Sequence, residues 1–289
     1  AFGWPGAAAR GGAASSDRGA DPFQPSPLLV NFLSIEDAQD DAAGRDPRAA
    51  RRKPPLSGFW DTVIRDMEDL PADLWHDAGQ VYGRPTPLMI LGASYAGALA
   101  LQEAGPDDTV EHSLDRPDQI YSSGWSDAFG AIGNPAVHFG LAGLWYLVGQ
   151  QQQDDKTYEV GRTLFSALAI NGASTLLGQA ATYDDAPNGE HGSFPSGHTS
   201  SAFVVASVMH EAYGPWVGGP LYALATLAGI QRLDSREHYL SDVVFGAVLG
   251  TLVGHSVAGG RDPEIFGWQI VPYVDPMTGS TGIALHKSF

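Results

Sequence analysis

Two short clusters of residues carry the chemistry available to this sequence. The first is Phe194-Pro195-Ser196-Gly197-His198, running into the apolar stretch TSSAFVVASVMH. Pro and Ser just before such a stretch mark a helix start. A helix start exposes unpaired backbone N–H groups and the positive end of the helix dipole, a seat for an oxyanion or phosphate. Gly197 lets a ligand approach the backbone closely. His198, one step into the helix, lies beside that anion and can give a proton to a leaving oxygen.

The second cluster is Arg232, His238 and Asp242. Residues 239–257 are apolar with a helical pattern, so His238 and Asp242, four apart, share a face if the helix begins by His238. A carboxylate there holds one imidazole nitrogen protonated and leaves the other as base or nucleophile. Arg232 offers a planar fork of donors suited to a phosphoryl group. Singly these features are ordinary. A lone histidine is usually a satisfied core or surface residue, an i,i+4 Asp–His pair a local hydrogen bond, and Ser-Gly at a helix start only a cap. Together they supply an anion seat, an acid and a supported nucleophile.

The elements that must position these groups are helical. Apolar residues at three- and four-residue spacing dominate, and strand-like alternation is nearly absent. Helices are predicted over 60–75, 87–102, 128–149, 154–181, 195–213, 220–230 and 239–257, with a polar loop containing Pro106 and Pro117 after the second. That is an all-α fold, a bundle of about six core helices. Residues 1–58 have the composition of a low-complexity arm, rich in Ala, Gly, Pro, Arg and Asp. The arm holds one apolar island, PLLVNFLSI at 27–35, which can dock on the body or on a partner. Residues 59–275 form the helical domain, and 276–289 read as an extended tail.

Composition narrows the function. The chain has 289 residues, 43% of them hydrophobic and 17% charged, enough for a sizeable core. Its formal charge of -17 repels nucleic acid and anionic headgroups. There is no cysteine, so disulfides and thiolate metal sites are excluded. No stretch reads as a clean membrane span. The apolar segments 87–102, 128–149 and 243–257 are interrupted by polar residues or Gly, or are short, and read as core helices of a soluble bundle. The start at Ala1 fits an exported protein that has lost a signal segment.

The motifs resemble those of the type-2 phosphatidic acid phosphatase (PAP2) and vanadium haloperoxidase superfamily. FPSGHTSSAF is similar to its second signature motif, and Arg232, five residues, His238, three residues, Asp242 to its third. SDVVFGAVLGTLVG and the upstream AIGNPAVHFGLAGLWYLVG also resemble that family, over roughly 59–273. The resemblance implies a phosphatase acting on a phosphomonoester or lipid phosphate. In it His238 attacks phosphorus, Asp242 supports it, His198 is the acid, and Ser196, Gly197 and Arg232 grip the oxygens. Gln231 stands where the family has Ser.

The first motif departs further. The family has Lys, six residues, then Arg-Pro; the corresponding residues here are Gln179, Ala186 and Pro187. Both cations are missing, Asp184, Asp185 and Glu190 lie nearby, and no Lys or Arg occurs between Arg162 and Arg232. Phosphoryl transfer is catalysed mostly by positioning and electrostatics, so these losses imply reduced activity. The other reading is an inactive bundle serving as a structural or assembly subunit, with a protein partner or a second copy held through residues 1–58. A metal site built from His191, His198 and His238 with Asp184, Asp185 or Glu190 has suitable ligand types but no recognisable spacing. No cofactor is expected, since vanadate needs a strongly cationic pocket.

Overall fold

The computed structural model describes residues 53–115 and 119–259, and the backbone of three strands beyond them. Residues 1–52, and with them most of the arm and its apolar island, lie outside the described residues. Nine helices are described: α1 (Phe59–Tyr82), α2 (Pro85–Glu103), α3 (Pro106–Leu114), α4 (Ser123–Gly133), α5 (Pro135–Gln152), α6 (Asp155–Thr182), α7 (Gly197–Tyr213), α8 (Pro215–Asp234) and α9 (Leu240–Gly259). The body is therefore all-α. Strands β1 (Glu264–Ile265), β2 (Trp268–Val274) and β3 (Thr281–Lys287) follow as an antiparallel meander in that order, so the tail pairs with 268–274.

Local chemistry sets most helix ends. Pro opens α2, α3, α5 and α8, where its missing N–H costs nothing. Asp154 caps α6 by accepting from Thr157 N–H at 3.1 Å. Two expectations need correction. The stretch after α2 is not a loop but the short helix α3, opened by Pro106 with Asp107 and Asp108 in its first turn. The predicted helix 128–149 is two helices broken at Asn134. Its side chain accepts from Ala136 N–H at 2.8 Å, and Pro135 starts the next helix.

The core runs along α6, α7 and α9, through Leu164, Leu168, Val204, Val208, Leu249 and Val253. Helices α7 and α9 sit unusually close. A Cβ at Gly246, Gly250 or Gly254 would lie 2.8, 2.0 or 2.7 Å from Ser196 O, Ser200 O or Ser207 Cβ. Small residues thus let the two backbones touch. Asn171 and Thr175 of α6 reach Ser200 Oγ at 3.0 and 3.3 Å and tie the third helix to the pair.

Helix α1 packs with its polar side inward. Asp66 accepts from Tyr146 OH at 2.7 Å and also from Tyr158 OH. Asp73 pairs with Arg162 at 2.6 Å, and Asp77 accepts from Ser166 Oγ at 2.6 Å. Among the described residues α9 alone is long and apolar enough to cross a membrane, and about half of it is buried.

Candidate active site

Three helix ends meet at one end of the bundle. Ser196 is the N-cap of α7; its Oγ faces Thr199 N–H at 3.4 Å and Thr199 Oγ1 at 3.0 Å. Asp242 lies in the first turn of α9. The backbone joins them directly: Ser196 N–H donates to Asp242 C=O at 3.2 Å. The two clusters, distant in sequence, are therefore adjacent in the fold. Arg232 enters from the last turn of α8.

The nucleophile candidate is held at one nitrogen. His238 Nδ1 stands 3.4 Å from Asp242 Oδ2, at the long limit of a hydrogen bond, and the same oxygen accepts from Tyr239 N–H at 3.0 Å. Asp242 is fully buried and His238 nearly so. In the neutral imidazole, donation from Nδ1 is the tautomer in which Nε2 keeps its lone pair. Asp107 of α3 fixes the start of α9, accepting from Ser241 N–H at 2.9 Å and Ser241 Oγ at 2.6 Å.

His198 is half-buried beside Gly133, whose added Cβ would meet the imidazole carbon Cδ2 at 3.6 Å. Burial, then the charges of Arg232 and His238, push its imidazole down to about 4. That coupling puts Arg232 and His238 within electrostatic reach of His198. An unfolded histidine titrates near ~6.5, so between roughly 6.5 and 4 the unfolded chain binds a proton that the folded chain does not. Stability present at neutral pH is lost as pH falls through that window, by up to about 3 kcal/mol. The melting temperature should fall between pH 7 and pH 4, and less steeply in His198→Gln. Parallel slopes for the two proteins would refute this environment for His198.

Arg232 is buried, and burial lowers its pKa to about 10, opposed by the Glu190 carboxylate, so it stays charged at neutral pH. It ion-pairs with Glu237, and its Nη1 donates to Gln231 Oε1 at 3.3 Å. Its buried Nε has no protein partner. Gln231 also donates to Ser126 Oγ at 3.1 Å, bridging α8 to α4.

The first-motif positions lie on the other wall. Gln179, near the end of α6, donates to Pro195 C=O at 3.2 Å, so it does border the second motif. Ala186 is buried in a hairpin turn in which its N–H donates to Glu190 C=O at 2.7 Å and Asp185 pairs with His191. Neither supplies a cation. The cavity beside His238 is about 10 Å³, lined by Asp107, Glu111, Pro187 and Arg236 among others. A larger one of about 250 Å³ lies between α1, α5 and α6, towards the other end of α6 from Gln179. Among the described residues no three His, Asp or Glu side chains are grouped to hold a metal ion.

The PAP2 superfamily model matches residues 88–261, more than half of the sequence. The chain belongs to the PAP2 superfamily. Among curated proteins it is similar to Lipid A 1-phosphatase of Porphyromonas gingivalis, 45% identical over 65 residues, 22% of this chain and 15% of that one. It is also similar to Lipid phosphate phosphatase 1 of Arabidopsis thaliana, 36% identical over 108 residues, 32% of this chain and 31% of the other. The PAP2 chain thus spans less than a third of the length of either relative. Among solved structures, the crystal structure of Aquifex aeolicus LpxE aligns with a TM-score of 0.45 at 20% identity, over 52% of this chain and 92% of that one.

Sequence reasoning missed two contributors and the role of a third. Glu237 holds Arg232, Asp107 holds the start of α9, and Gln231 braces Arg232. Position beside His238 was the signal for Glu237. For Asp107 it was the Gly-Pro-Asp-Asp run, which reads as a helix start.

Proposed function

We propose that this PAP2 protein hydrolyses a phosphomonoester, with a lipid phosphate as the substrate class, through a phosphohistidine intermediate. The carrying observation is the hydrogen bond from Ser196 N–H to Asp242 C=O, which makes the anion seat and the histidine–aspartate pair parts of one site. His238 Nε2 attacks phosphorus, and the bond from phosphorus to the leaving oxygen breaks. His198 gives that oxygen a proton, and water then releases phosphate from the imidazole. The incoming phosphate supplies negative charge that raises the His198 pKa and loads it with the proton it donates. Arg232 and the free N–H groups at the start of α7 hold the equatorial oxygens. The names of the two curated relatives support the lipid phosphate.

Activity is reduced on this reading. Gln179 spends its amide on Pro195, Ala186 has no donor to offer, and Arg232 must exchange Glu237 for the substrate. No cofactor is invoked: with both first-motif cations replaced, the pocket lacks the strong positive charge that vanadate needs. The same facts favour a second reading, an inactive bundle retained as an assembly subunit.

The separating experiment is capture of the intermediate. The protein is mixed with a ³²P-labelled phosphomonoester and quenched in alkali. Label that survives alkali and is lost in acid is the expected result. Hydrolysis without such label would overturn the histidine route, and neither hydrolysis nor label would favour the subunit.

A further inference from the structure

Helix α8 ends in a turn that glycine usually makes. Arg236 N–H donates to Leu233 C=O at 3.0 Å, and Glu237 N–H donates to Arg232 C=O at 3.1 Å. This pair of crossed bonds closes a helix when the residue after the cap takes a left-handed backbone. That residue is Arg236, with φ 59°. Glycine adopts this region freely, whereas a residue with a Cβ is strained in it. An arginine kept at such a position needs a reason in its side chain.

That side chain lies at the candidate site. Arg236 lines the small cavity beside His238, together with Pro187, Asp107 and Glu111, and no other Lys or Arg lines it. Pro187 belongs to the first motif. Arg236 therefore stands where the third-motif wall faces the motif that lacks its cations. At about 10 Å³ the cavity has room for one water-sized atom, hence for a single phosphoryl oxygen.

The guanidinium is held but not saturated. Nη1 donates to Asp115 at 2.7 Å and Nη2 to Glu111 at 3.0 Å, at the last turn and end of α3. Its Nε is buried without a hydrogen-bond partner among the described residues, and so is Nε of Arg232. Buried N–H donors are rarely left unpaired. Here two of them belong to the arginines that precede His238 by six and two positions, and a phosphoryl group on His238 brings acceptors to that spot. The bland alternative is a pin between α8 and α3. It accounts for the two ion pairs, which are partly exposed and contribute little, but not for the buried Nε–H.

We propose that Arg236 is a second phosphate-binding cation of this site, donating its Nε–H to a phosphoryl oxygen. It takes over part of the charge that Gln179 and Ala186 do not provide. The proposal rests on the phosphatase reading and adds to it a residue that the motif resemblance does not name.

The test compares the full-length wild type with Arg236→Gly and His238→Ala. Glycine suits the turn, so the melting temperature of Arg236→Gly is expected to stay near that of the wild type. Its kcat/KM on p-nitrophenyl phosphate should fall by about 10²-fold. Its Kd for inorganic phosphate should rise by about tenfold. Millimolar guanidinium should restore part of the lost rate and leave the wild type unchanged. Wild-type kcat/KM and phosphate affinity in Arg236→Gly would overturn the proposal, and a dead His238→Ala beside them would leave the phosphatase reading standing. A loss that comes with a lowered melting temperature and is untouched by guanidinium would also overturn it, making Arg236 a pin. Weaker phosphate binding in Arg236→Gly, with no hydrolysis even by the wild type, would sustain the cation and sink the phosphatase.

Discussion

With His238 replaced by Ala, hydrolysis of p-nitrophenyl phosphate is expected to fall to the buffer background, a loss of about 10⁴-fold or more. The size follows from the role. A nucleophile cannot be replaced by a better-placed oxyanion hole, because no bond to phosphorus forms without it. The substitution is also mild for the fold, since among the described residues the imidazole's one hydrogen-bond contact is the long one to Asp242, and Asp242 keeps Tyr239 N–H. An unchanged circular dichroism spectrum and melting temperature would establish that the loss is chemical. Equal rates for His238→Ala and wild type would instead mean that any hydrolysis arises elsewhere.

The second large effect is a gain. Gln179→Lys combined with Ala186→Arg is expected to raise kcat/KM on the same substrate by about 10²-fold or more, since one oxyanion donor is typically worth about 2.7–4 kcal/mol. The two gains will not simply add. Gln179→Lys should supply the larger share, because the side chain already lies against Pro195 at the start of the anion seat. Ala186 is 6% exposed in a hydrogen-bonded turn, so an arginine there must push the hairpin outward to reach the site. No gain from the pair would mean that the wall has drifted from the geometry a phosphoryl group needs.

Much of the helical layout was legible because a 3.6-residue period survives in single sequences. The break at Asn134 was not, although Asn-Pro was plainly visible, since the apolar run on both sides outweighed one cap residue. Helix α3 escaped because its nine residues are too short and polar to display a period. At the site, Ser196, Gly197, His198, Arg232, His238 and Asp242 were readable as types at fixed spacing. What surrounds them was not. Asp107 and Ser241 meet across 134 positions, and Gln231 and Ser126 across 105. Nothing local encodes such pairs. The direction of the helices was equally hidden: periodicity reveals an apolar face on α1 or α5, but only the tertiary arrangement tells whether that face looks into the molecule or out of it.

The glycine contacts between α7 and α9 have a mechanical consequence. With Ser196 and Ser200 carbonyl oxygens seated on Gly246 and Gly250, the jaw that carries His198, His238 and Asp242 has no slack to slide or rotate. Any breathing needed to admit a bulky substrate must then come from the opposite jaw, the hairpin of residues 184–192, which is fastened by its own short-range bonds and carries Glu190 as it swings.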